Sequence, residues 1–204
     1  MNHLNIRAIV LGIGLVGASF VFAQDMTKAA YKASEEKLEV DYKAAKLACA
    51  PLKANPYDIC LAEAKAKQKI GKADLYANYK PSERNRYNAS VAKANATYSV
   101  AIEKCDEASG NAKDVCRKEA AAAQVSATAD AKAKHKIDNA DLKAVSGSAD
   151  ARTTASKEKA EARKDASDDK KDAAYAVEKE KCDSTSGDVK DKCIAQAKTR
   201  FGKS

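Results

Sequence analysis

Three copies of one cysteine unit constrain this chain more than any other feature. The pairs are Cys49/Cys60, Cys105/Cys116 and Cys182/Cys193, each written C-x10-C. Tyr42, Tyr98 and Tyr175 precede the first cysteine of each pair at one constant spacing. Asp58, Asp114 and Asp191 precede the second at another. Glu63-Ala64, Glu119-Ala120 and Gln196-Ala197 follow. Such a repeat marks a chain built from repeated supersecondary units, each needing its neighbours to bury an apolar face.

Within one uninterrupted helix the two cysteines of a pair would stand about 16 Å apart at 1.5 Å per residue. A disulfide needs Cα atoms within about 7 Å. The helix must therefore break between them, and the intervening residues break helices. They read Ala54-Asn55-Pro56, Ser109-Gly110-Asn111 and Ser186-Gly187-Asp188. The glycines suit a helix stop. Asn55, Asn111 and Asp188 are expected as N-caps of the following helices. Pro56 then takes the first helical position, where its missing N–H is harmless. Asp58, Asp114 and Asp191 are expected in the first helical turn, as structural partners of the exposed N–H groups and the helix dipole. Each unit is thus a helix, a short turn and a returning helix, with the cysteines facing each other beside the turn. The expected bridges are Cys49–Cys60, Cys105–Cys116 and Cys182–Cys193.

The apolar spacing agrees. Tyr87, Val91, Ala94, Tyr98, Ile102 and Cys105 line one helical face, and Tyr31, Leu38, Tyr42, Ala45 and Cys49 line another. Tyr42, Tyr98 and Tyr175 are expected to cover the hairpin seams. Helices are expected at about 26–49, 56–79, 83–108, 112–145, 149–183 and 189–200. Lys80-Pro81-Ser82 and Ser146-Gly147-Ser148 separate the repeats. The fold class is all-α: three consecutive disulfide-stapled antiparallel helical hairpins, coiled-coil-like and extended. The segments are 1–23, 24–80, 81–146 and 147–204. Arg152–Asp172 is nearly devoid of large apolar residues, so it is either a lone solvated helix or partly disordered.

Composition excludes a large oily core. Leu, Ile, Val and Phe supply only 20 of the 181 residues after Ala23, whereas 41 are alanine. That share lies well under the roughly 20% below which disorder is flagged, but alanine, lysine and glutamate favour helix. The N-terminus has the form of an export signal: a basic start to Arg7, an apolar run Ala8–Ala23, and Val21-Phe22-Ala23 before the expected cleavage. Residues 1–23 would be removed, leaving no transmembrane span, and the product would reach an oxidising compartment, the periplasm, where disulfides persist. The string Gly12-Ile13-Gly14-Leu15-Val16-Gly17 lies inside that run, without the strand–helix context a dinucleotide site needs.

Chemistry-bearing patterns are sparse. His135 is expected as a solvated surface residue, and no nucleophile context surrounds it. No C-x2-C, H-E-x-x-H, Walker or EF-hand pattern occurs in the sequence. No catalytic residue, cofactor site or metal site is expected. The net charge is +3, +2 and +2 across 24–80, 81–146 and 147–204. So even a spread suits solvated helix faces better than a nucleic-acid stripe.

Blocks such as Gly110-Asn111-Ala112-Lys113-Asp114-Val115-Cys116 and the ending Arg200-Phe201-Gly202-Lys203-Ser204, behind an export leader, resemble small exported Ala/Lys-rich helical proteins of Gram-negative bacteria. Those proteins often carry the label "cell envelope biogenesis protein TolA". The likeness to TolA itself is one of composition, confined to its long helical middle domain, and transfers no functional residues. The leading expectation is a non-enzymatic envelope protein acting as spacer or scaffold, with an envelope protein as partner and self-association open to it. A basic module for anionic envelope polymers such as lipopolysaccharide or peptidoglycan is the alternative. A thiol redox or oxidative-stress protein is the third.

Overall fold

The structure is a computed structural model that describes residues 26–204. The expected signal and its cleavage after Ala23 lie outside the described residues. All regular structure among the described residues is helical. Six helices follow in order: α1 (Lys28–Cys49), α2 (Ala54–Tyr79), α3 (Glu83–Cys105), α4 (Gly110–Val145), α5 (Ala149–Cys182) and α6 (Gly187–Phe201). None is long and apolar enough to cross a membrane.

Each helix packs only on its neighbours in sequence, so the chain folds as an antiparallel meander of helices side by side. The three cysteine turns therefore share one edge. The Lys80–Ser82 and Ser146–Ser148 joints share the opposite edge. At that edge Ser82 and Ser148 cap their helices, accepting from the backbone N–H of Asn85 and Ala151. A Cβ on Gly147 would fall 2.7 Å from the Lys143 carbonyl oxygen, which accounts for glycine at this joint.

The core is thin and made of alanine. Ala96, Ala129, Ala140, Ala155 and Ala162 are each at most 4% exposed. Side chains this small let helix axes approach closely, toward the short end of the 8–10 Å range. Interior helices bury two seams. On α2, Cys60, Ala64, Gln68, Gly71 and Leu75 face α1. Gln68 Nε2 donates to Glu39 Oε2 at 2.9 Å, and Gly71 backs onto Leu38. Two positions further along, Ala62, Ala66, Ile70, Ala73 and Ala77 face α3. A step of two residues turns about 200° around a helix, so the two seams lie on nearly opposite sides. Helix α3 repeats this, with Tyr87, Ala94 and Cys105 toward α4 and Ala89 and Ala96 toward α2.

Two expectations need correction. Arg152–Asp172 is neither a lone helix nor disordered. It belongs to α5 and packs on α4, where Ala162 and Ala166 meet Ala129 and Ala133 with Ile137 beside them. Alanine alone is apolar enough for that seam. His135 is not a solvated surface residue either. It is half-buried, its ring stacked on Tyr87 at 5.2 Å between centroids.

Candidate functional site at the stapled edge

The three bridges form as the spacing expects, Cys49–Cys60, Cys105–Cys116 and Cys182–Cys193, with Cα separations of 5.7, 5.6 and 5.7 Å. The first cysteine of each pair is buried and the second half-buried. No described cysteine is free.

The turns share one construction. After Cys105, the N–H groups of Asp106, Glu107 and Ala108 donate three residues back, winding the helix end tighter. Asp183, Ser184 and Thr185 do the same after Cys182. The chain then extends at Ser109 and Ser186 and enters the left-handed region at Gly110 (φ 55) and Gly187 (φ 56). In the first turn the left-handed residue is Ala54 (φ 50).

This geometry corrects the capping expectation. The glycines do not stop the outgoing helix; they open the returning one. The N-cap positions are Lys53, Ser109 and Ser186, and none makes a side-chain capping bond. Asn55, Asn111 and Asp188 fall second in their helices, because a left-handed residue reverses the chain before them. Asp58, Asp114 and Asp191 fall fifth, past the first turn, and are exposed. Asn111 has other work: its Nδ2 donates to the Glu180 carbonyl at 3.1 Å, tying the second turn to the end of α5. Asn55 Nδ2 is buried and has no partner.

Tyr42, Tyr98 and Tyr175 are all half-buried. Lys46 lies over the Tyr42 ring. Tyr98 lines the α3–α4 groove, and Tyr175 packs against Phe201 of α6 at 6.1 Å.

Ion pairs on this edge follow the repeat. Asp106, just after Cys105, meets Lys113 at 3.1 Å and Arg117 at 2.9 Å. Asp183, just after Cys182, meets Lys190 at 2.8 Å. Hydrogen bonds from Lys113 and then Arg117 hold the Asp106 carboxyl below its usual range, and Lys190 does the same to Asp183. A second series links successive hairpins. Lys104 pairs with Glu63 at 2.8 Å, and Lys181 with Glu119 at 3.4 Å. Each lysine immediately precedes the first cysteine of its hairpin. Each glutamate lies three residues after the second cysteine of the hairpin before. The corresponding outermost positions carry no charge: Ala48 before Cys49, and Gln196 after Cys193.

No constellation of His, Cys, Asp and Glu suited to a metal occurs among the described residues. Compared with protein-family models, curated proteins and solved structures, the chain matches none of them.

Proposed function

We propose that the chain is a non-enzymatic structural or interaction protein of an oxidising compartment outside the cytoplasm, the periplasm given the form of its leader. It serves there as a stapled spacer or scaffold in the cell envelope. One observation carries this reading. All three hairpins are closed by local disulfides on a single edge, and ion pairs of one pattern bind each hairpin to the next. A layer one helix thick offers both of its broad faces to other molecules, which suits display and spacing. Cross-links stabilise such a thin assembly where burial of alanine alone supplies little. Part of the basic charge pairs with carboxylates across the seams, as in Lys136–Asp165, Lys159–Asp141 and Lys143–Glu158. It forms no concentrated track for a polyanion.

The test has two parts. Alkylation of the native protein in fractionated cells should label no cysteine until reductant is added, and the protein should fractionate with the periplasm. Replacing the six cysteines by serine should then abolish its association with the envelope while leaving its export intact. Reduced thiols in the native protein, or envelope association that survives loss of every bridge, would overturn the reading.

A further inference from the structure

The two-seam rule of α2 and α3 also holds on α1, but its second seam is uncovered. Toward α2, α1 presents Tyr31, Leu38, Tyr42, Ala45 and Cys49. Two residues on, about 200° round the helix, lie Ala33, Val40, Ala44 and Leu47. Among the described residues nothing packs on this stripe: Val40 is 64% exposed and Leu47 is 75% exposed. On the interior helices the equivalent stripe always holds an antiparallel helix.

We propose that the outer face of α1 docks a second copy of α1, antiparallel, across a two-fold axis near Val40. Three observations select this occupant. The stripe continues an interface the fold already uses twice, with the same spacing and the same small and branched residues. Its charges are self-complementary. Glu36 and Lys43 lie on one flank, Glu36 before Val40 and Lys43 after it, so antiparallel pairing brings Glu36 of each copy to Lys43 of the other. The far edge of the layer does not offer an alternative surface. On α6 the positions two beyond Lys190, Cys193 and Ala197 are Lys192, Ala195 and Thr199. That polar face does not match α1, and neutral Ala48 and Gln196 lack the ion pair that links hairpins within the chain. A head-to-tail filament is therefore disfavoured, and the open face closes on itself as an isologous dimer.

A single helix pair lies at or below the roughly 1,200 Å² lower bound of stable interfaces, so the dimer forms on concentration and dissociates on dilution. This inference is independent of the scaffold reading and survives its failure. Sedimentation equilibrium of the protein as isolated, over a wide concentration range, should fit a monomer–dimer equilibrium. Val40→Glu should raise the dissociation constant by at least about tenfold while circular dichroism keeps its helicity, because the site is exposed. Glu36→Lys alone and Lys43→Glu alone should each weaken the dimer, and the two together should restore it. A monomer at every concentration, a dimer indifferent to Val40→Glu, or a double exchange that fails to restore pairing would each overturn the proposal.

Discussion

Lys104 Nζ lies 2.8 Å from Glu63 Oε1, joining the last turn of α3 to the third turn of α2. Lys181 and Glu119 repeat this contact one hairpin later. Both pairs bridge hairpins, so they hold the layer together where no disulfide does. Exposed pairs of this kind stabilise weakly and are screened by salt. Lys104→Glu should loosen the α2–α3 seam near the staples, and adding Glu63→Lys should restore it. Hydrogen exchange at low salt would read both changes. If the double exchange failed to restore protection, the pair would have no role in joining the hairpins.

Helix α6 depends on its staple more than any other helix. It has 15 residues and buries only Ala197, and its contacts are with α5 alone. Its bridge is worth about 3 kcal/mol in the chain-entropy account. Replacing Cys182 and Cys193 by serine should therefore release α6 while α1–α5 stay folded. Amide exchange across 187–201 should rise to the rate of an open chain, with the longer α4–α5 pair unchanged. Retained protection in α6 would show that Tyr175 and Phe201 suffice to hold it.

The first turn departs from the other two at neighbouring positions, and both departures are unfavourable. Ala54 holds a left-handed backbone that glycine takes elsewhere, at a cost of about 1–2 kcal/mol. Asn55 buries an amide with no partner, which costs about 1–3 kcal/mol. Ala54→Gly should raise stability by about 1 kcal/mol, and Asn55→Ala should be neutral or stabilising. Asn111→Ala loses the bond to Glu180 and should lower stability by about 0.5–1.5 kcal/mol. Denaturant midpoints rank the three variants; a loss on Ala54→Gly would refute the account of this turn.

Much of the fold is legible in the residues. Helix-breaking triplets between paired cysteines place three hairpins, and the stripe from Tyr87 to Cys105 marks the seam toward α4. The opposite seam is not legible, for a physical reason. Ala89 and Ala96 carry no hydropathy contrast in so alanine-rich a chain, although their burial welds one hairpin to the next. Gly71 likewise shows no role until Leu38 is seen behind it. At the staples, Glu63 and Glu119 recur visibly, but their lysines belong to the following repeat, and sequence spacing within one unit cannot find them. The N-caps are misplaced by two residues because a left-handed glycine at a helix start resembles one at a helix end.

The alanine seam sets a tight tolerance on side-chain volume. Ala162 is 1% exposed and sits among Ala129, Ala133 and Ala166. Leucine there must part α4 from α5, since these alanines already enclose the site. Ala162→Leu should cost about 1–3 kcal/mol by overpacking, although it adds apolar surface. Ala160→Leu, on the exposed side of the same helix, should be nearly neutral. Equal thermal midpoints for the two variants would mean the seam is looser than its burial implies.

Acid should weaken the layer before it touches the bridges. Hydrogen bonds from lysine or arginine hold Glu39, Asp106, Asp165 and Asp183 below their ordinary values, with Lys72, Lys113, Lys136 and Lys190 as the leading partners. The unfolded chain therefore takes up protons first as pH falls. Their stabilisation is complete above the unfolded carboxylate range of about 3.9–4.3 and drains away as pH drops through it toward the lower folded values. Lys72, Lys136 and Lys190 are shifted upward by the same contacts. Their share is complete below about 10.4 and is lost as pH rises past it. Thermal midpoints should thus hold a plateau through neutral pH and fall at both ends, with the disulfides intact throughout. Asp106→Asn, Asp165→Asn and Asp183→Asn together should lower the plateau and flatten the acid limb. A midpoint unchanged from pH 7 down to about pH 3, below that carboxylate range, would show that these pairs contribute nothing to the fold.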